Sequence, residues 1–269
     1  MSGVREIRLE YEAADLRCEI PVASGMRAGI SLAAAGDMAM SKRDTLPWRA
    51  RFLADLGLEG DRVFGLHQVH SRSVVIVERE EPEELAAREA DGMIGDLPEV
   101  VLTVTVADCL PIFIVDRASH AFGLVHSGWK GTGIAIEAIK VMAERFGALP
   151  GNLAVTIGPG IGPCCYRVPE GRAEAFAGEF GPDAVAWGPD QTPRLDLRRA
   201  NTGLLLRAGV GEISVVTDCT CCSPALGSFR RQGPLGCTLM LAYLGRGRPA
   251  TPVARKSVRA ATSAGGGQS

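Results

Sequence analysis

Hydrophobic and polar positions alternate in short runs over most of the chain and then switch period. Residues 62–70 (RVFGLHQVH), 74–78 (VVIVE), 100–109 (VVLTVTVADC), 110–116 (LPIFIVD) and 121–127 (AFGLVHS) are β-branched or aromatic runs of strand character. Residues 153–158, 213–217 and 237–244 add further strands. Between them, Ala135, Ala138, Ile139, Met142, Ala143 and Phe146 recur at helical spacing, and Gly147 with Pro150 marks the end of that helix. Residues 169–181 and 195–210 read as two more helices, and the acid-rich 78–91 as an exposed connection with a helical turn. Strands interleaved with helices predict an α/β fold with a mixed β-sheet flanked by helices. No internal repeat and no Pro/Gly/Ser linker divides residues 1–245, which predicts a single domain.

The pattern stops at residue 246. From there to 269 the chain has five Lys/Arg, no acid and no periodicity, which predicts a disordered basic tail. The whole chain carries a net charge of −2, so the remaining body is at about −7 once those five cations are set aside. A body of that sign has no general attraction for nucleic acid or an anionic membrane. No apolar run reaches bilayer length, and the charged start MSGVREIRLEYEA lacks an apolar signal core. A cytoplasmic protein, as a monomer or small homo-oligomer, is the expectation. Eight cysteines in such a chain predict reduced thiols with metal or catalytic roles rather than a disulfide framework.

Three stretches carry candidate chemistry. In GLHQVHS (65–71), His67 and His70 would point to opposite faces of a strand, so one functional histidine is expected there, not a pair. Asp108 and Cys109 close the apolar run before Pro111. His126 ends another such run, followed by Gly128, Lys130, Gly131 and Gly133 at the turn into a helix, a place suited to an anion. That turn has neither the P-loop nor the dinucleotide glycine spacing. The CTCC (219–222) and PCC (163–165) stretches are set aside, on the reading that they lack the C-x-x-C interval of structural zinc sites. His67 or His70, with Cys109 and His126, makes a three-ligand set suited to catalytic zinc with an open fourth position. Copper is less favoured: four histidines are too few for multicopper oxidase chemistry.

The ordered series HQVH (67–70), ADG (90–92), TVADCLP (105–111), VHSGWKG (125–131), IGPGIGPCCYRV (157–168) and SFRRQGPLG (228–236) resembles the laccase-domain, or polyphenol oxidase-like, family of purine nucleoside phosphorylases. The resemblance runs from about Ala28 to Leu244. It implies a mixed α/β fold, cysteine-hydrolase-like in kind, and zinc held by His70, Cys109 and His126. It also implies phosphorolysis of adenosine, inosine and methylthioadenosine, and hydrolytic deamination of adenosine. The partners are then a purine nucleoside and phosphate. Lys130, Arg230 and Arg231 would supply cations for the phosphate. Trp129 and Phe229 would pack on the purine or ribose, and Asp108 would orient a ligand or move a proton. This chain has Lys130 where the family tends to have arginine, and Phe229, Gln232 and Cys237 where it tends to have tyrosine, an acid and arginine. The alternatives are a cysteine hydrolase or amidase using Cys109 as nucleophile and His126 as base, and a non-catalytic zinc-binding member.

Overall fold

The computed structural model describes residues 3–12, 14–40, 47–58 and 62–246. In chain order the strands are β1 (Val4–Ile7), β2 (Arg17–Glu19), β3 (Met26–Ser31), β4 (Arg62–Phe64), β5 (Val74–Ile76), β6 (Gly92–Gly95), β7 (Val100–Val106), β8 (Leu110–Asp116), β9 (Phe122–Ser127), β10 (Leu153–Ile157), β11 (Val185–Trp187), β12 (Pro193–Leu195), β13 (Glu212–Val216) and β14 (Met240–Arg246). The helices are α1 (Trp48–Asp55), α2 (Pro82–Ala86), α3 (Ile134–Phe146), α4 (Glu170–Phe180), α5 (Leu197–Arg207) and α6 (Phe229–Gly236). They form one mixed α/β body, but with two principal sheets where the sequence predicted one. The larger runs β1-β13-β10-β8-β9-β6-β5 and the smaller β2-β3-β14-β7-β4. Both mix parallel and antiparallel neighbours, and β11 with β12 forms a separate two-stranded ribbon.

Side-chain parity stacks these sheets into layers. In β8, Leu110, Ile112 and Ile114 face a core shared with α3 and α5, while Phe113 and Val115 face a second core. That second core lies between the sheets, because Leu102 and Val104 of β7 and Met240, Ala242 and Leu244 of β14 fill it from the other side. The alternate residues of β14, Leu241 and Tyr243, pack outward against Phe52 of α1. Each fully buried aliphatic side chain contributes about 1.5–3 kcal/mol, so four layers on three cores fix the strand positions tightly.

Helix α3 is bounded by glycines in left-handed backbone, Gly133 at φ 99° and Gly147 at φ 66°, the latter donating its amide to the Ala143 carbonyl. Of the periodic set, Ala135, Ala138, Ile139 and Met142 are buried, whereas Ala143 is exposed and Phe146 half-buried. The predicted strand over 62–70 ends at Phe64. Residues 65–73 leave the sheet, and His70 takes left-handed backbone at φ 61°. Strand parity therefore does not govern the two histidines. Arg246, assigned to the tail from sequence, closes β14 opposite Met26 and donates to the His120 carbonyl. The rest of the predicted tail lies outside the described residues. Among the described residues no helix is long and apolar enough to cross a membrane.

Candidate active site

The antiparallel register of β8 and β9 sets the site. Leu110 pairs with Ser127 and Pro111 with His126, so Cys109, one residue before β8, meets the end of β9. The loop after β4 delivers His70 to the same place. The donor atoms of His70, Cys109 and His126 all lie within 4.8 Å of one another. The two imidazoles meet edge-on with centroids 4.9 Å apart. Gly128 completes the fit: a Cβ there would stand 2.7 Å from Cys109 Sγ and 3.4 Å from a carbon of the His70 ring. Two imidazoles and a thiolate, close-packed at a cavity wall with no fourth protein ligand in the cluster among the described residues, have the chemistry of an open transition-metal site. His67 and His120 are not part of this group. The former is exposed and bridges Glu89 through its backbone; the latter sits in the β8–β9 turn at φ 68°.

Asp91 builds the loop that carries His70, a role the sequence reading did not give it. The carboxylate is fully buried and accepts from the amides of Val69 (3.2 Å), His70 (3.0 Å) and Ser71 (2.6 Å), and from the Ser71 hydroxyl (2.8 Å). It also meets His126 Nδ1 at 2.8 Å. A carboxylate only accepts, so Nδ1 carries the hydrogen and Nε2 is left for Cys109 or a metal. Its one visible signal in the sequence was an acid between Ala90 and Gly92 at the head of an apolar strand.

Burial alone would raise the Asp91 carboxyl, but the hydrogen bonds from His126 and Ser71 outweigh it and hold it at about 2. Burial likewise opposes charge on Cys109 and His126. Their mutual attraction wins, lowering the thiol and raising the imidazole, with Asp91 supporting the latter. The metal-free pair therefore favours thiolate and imidazolium, and a bound cation would take the place of that proton.

This group opens on a cavity of about 550 Å³. The same cavity is lined by Trp129, Tyr166 and Phe229, with the cations Arg172 and Arg230. Arg172 lies over the Trp129 ring at 4.5 Å and Arg230 over Tyr166 at 5.3 Å. Burial keeps the Tyr166 phenol protonated, raising it to about 12. A larger cleft of about 1200 Å³, bounded by β1, β2 and α1, is lined by none of His70, Cys109 and His126.

The other sequence candidates divide. Asp108, at φ 84° in the β7–β8 turn, lines the cavity but accepts from Thr220 Oγ1 (2.6 Å) and the Arg230 amide (2.6 Å), pinning the start of α6 beside Cys109. Lys130 is exposed beside Trp129 and is not in the cavity wall. The Arg231 guanidinium donates to the carbonyls of Thr220, Cys221, Ser223 and Leu226, so it braces a loop instead of facing the cavity. Arg172, which the sequence reading passed over, takes the place in the wall expected of those two cations.

The CTCC stretch (219–222) departs from the expectation that it lacks metal-site spacing. Cys219 and Cys222 enclose two residues, so CTCC does contain a C-x-x-C interval. Their sulfurs group with those of Cys164 and Cys165 within 4.8 Å.

Comparison with known proteins bears on the family and the fold. A purine nucleoside phosphorylase of Mycobacterium tuberculosis is 33% identical over 190 residues, covering 70% of this chain and 74% of that protein. The purine nucleoside phosphorylase YlmD of Geobacillus stearothermophilus is 30% identical over 257 residues, 86% of this chain and 94% of its own. The crystal structure of YlmD superposes with a TM-score of 0.80 at 29% identity, covering 89% of this chain and 99% of that one. The Bacillus licheniformis hypothetical protein YfiH shares the fold, with a TM-score of 0.80 at 24% identity and the same coverage. The family model described as multi-copper polyphenol oxidoreductase laccase matches residues 35–245, and the chain belongs to that family.

Proposed function

We propose that this protein is a zinc-dependent purine nucleoside phosphorylase acting on adenosine, inosine and methylthioadenosine. The observation that carries the reading is one cavity lined by soft metal donors, aromatic faces and two arginines. A volume near 550 Å³ accommodates a nucleoside together with phosphate. His70, Cys109 and His126 would hold the zinc, which supplies a Lewis acid to the site. Trp129, Tyr166 and Phe229 offer stacking faces to the purine and apolar contact to the ribose. Arg172 and Arg230 attract the phosphate and bring it to the sugar. In phosphorolysis an oxygen of hydrogen phosphate bonds to C1′ of the ribose as the bond to the purine nitrogen breaks, and the phosphate's proton goes to the departing base. Cations beside the incoming anion favour the oxocarbenium-like transition state by holding the nucleophile in place. Hydrolytic deamination of adenosine would be a side activity of the same cavity, and the protein works as a monomer or small homo-oligomer in the cytoplasm. Residues 1–245 would form the catalytic domain.

Purified zinc-loaded protein should release free base from adenosine, inosine or methylthioadenosine, with a rate that rises with phosphate. No base from any of the three would refute the proposal.

Asp91 favours a second reading, because Cys109, His126 and Asp91 stand in the order nucleophile, base, orienting acid. A cysteine hydrolase or amidase on these residues would be fully active without metal and lost to a thiol alkylator. The phosphorylase would be inactive without metal.

A further inference from the structure

A second group of soft donors lies outside the His70–Cys109–His126 set. Cys164 and Cys165 come from the loop between β10 and α4, and Cys219 and Cys222 from the loop between β13 and α6. Cys222 Sγ is 3.6 Å from Cys164 Sγ and 3.4 Å from Cys165 Sγ, and all four sulfurs lie within 4.8 Å of one another. A tetrahedral zinc with bonds of about 2.3 Å places its sulfurs roughly 3.8 Å apart. A disulfide needs about 2.05 Å, and Cys222 could satisfy only one of its two neighbours.

The surroundings suit a charged thiolate cluster. The Gly162 amide donates to Cys219 Sγ at 3.2 Å. A Cβ on Gly162 would meet Cys164 Sγ at 3.2 Å, Arg198 Nη1 at 3.3 Å and Cys219 Cβ at 3.4 Å, so the loop closes tightly on the cysteines and Arg198 stands against them. Arg198 donates through Nη2 to the carbonyls of Gly160 and Asp218, while its Nε is buried without a hydrogen-bond partner. Zinc with four thiolates carries a net charge of −2, and a half-buried guanidinium alongside offsets part of it. The ligand loops are themselves held by cations: Arg194 donates to the Cys164 carbonyl and Arg230 to that of Cys165.

We propose that Cys164, Cys165, Cys219 and Cys222 bind a structural zinc ion that staples these two loops together. Four protein sulfurs leave no open position, which makes the site structural and not catalytic. The staple has a functional consequence. The first loop supplies Ile161 and Tyr166 to the cavity wall, and the second runs directly into Phe229 and Arg230. Metal at this point would set the spacing between these cavity-lining residues, and zinc binding would displace the thiol protons.

The test is metal analysis of the whole chain purified under reductant. The Cys109→Ala variant, which disables the His–Cys–His set, should retain one equivalent of zinc. Cobalt exchanged into it should show sulfur-to-cobalt charge transfer and the intense visible bands of a tetrahedral tetrathiolate. Cys222→Ser should cost wild type one equivalent of zinc, while Cys221→Ser, at a thiol outside the four, should leave the count unchanged. Absence of metal from Cys109→Ala, or an unchanged count in Cys222→Ser, would overturn the proposal. So would one equivalent of iron in place of zinc, or a disulfide among the four in protein kept reduced. Should Cys222→Ser fail to fold, the cobalt spectrum of Cys109→Ala decides alone. Because the count is a difference between variants, it holds whether or not the other set carries zinc or turns over nucleosides.

Discussion

Replacing Asp91 with asparagine keeps the shape of the side chain and removes one acceptor. Oδ2 accepts from the Val69 amide, the Ser71 amide and the Ser71 hydroxyl; Oδ1 accepts from the His70 amide and His126 Nδ1. The best placement of the amide keeps its oxygen at the three-donor position. Its NH₂ group then faces the His70 N–H and His126. One buried donor clashes, and His126 must turn its tautomer, placing the hydrogen on Nε2 where a metal would bind. At about 1–3 kcal/mol for an orphaned buried donor, the loss is on the order of 1–3 kcal/mol. Linkage gives a compatible figure. The carboxyl moves from 3.8 to about 2 on folding, which corresponds to on the order of 2 kcal/mol. Because the folded value is depressed, that contribution is present above 3.8 and disappears as pH falls toward 2. Urea unfolding of wild type and Asp91→Asn should therefore show a gap that is constant near neutrality and narrows in acid. Zinc affinity should fall about 10–100-fold, as for other loss of a partner behind a metal-binding histidine. An unchanged urea midpoint together with unchanged zinc affinity would refute the role given to Asp91.

Gly128→Ala places a methyl 2.7 Å from Cys109 Sγ, so the thiol must rotate away; the metal affinity of the His70–Cys109–His126 set should drop by at least tenfold at a stability cost of about 1–3 kcal/mol, read by zinc titration and thermal unfolding. Arg172→Ala should raise the KM for phosphate severalfold, and Lys130→Ala, outside the cavity wall, much less; the reverse order in steady-state kinetics would return the anion site to the glycine turn. Arg231→Met leaves four carbonyls without their shared donor. It should destabilise the chain by about 1–3 kcal/mol in urea unfolding, with no change in phosphate KM that exceeds its effect on kcat.

Period-two and period-3.6 patterns are local, so the sequence by itself determined the strands through 100–127 and the helix at 134–146, along with the α/β class. The DCLP and VHSGW stretches also marked Cys109 and His126 as candidate donors, each at a short polar break in an apolar run, whereas HQVH left His67 and His70 open and only the family resemblance pointed to His70. Pairing between distant strands is not written in any one segment, and for that reason the division into two sheets appears only in the tertiary structure. The same holds for the site's supports. Asp91 acts on residues 69–71 and on His126 only because β6 lies beside β9. Arg172 enters the cavity from α4, while Arg231, adjacent to Arg230 in sequence, turns away to brace carbonyls. The four cysteines follow that rule too: 54 residues separate the PCC pair from the CTCC pair, and only the parallel pairing of β10 with β13 carries their two loops to the same end of the sheet.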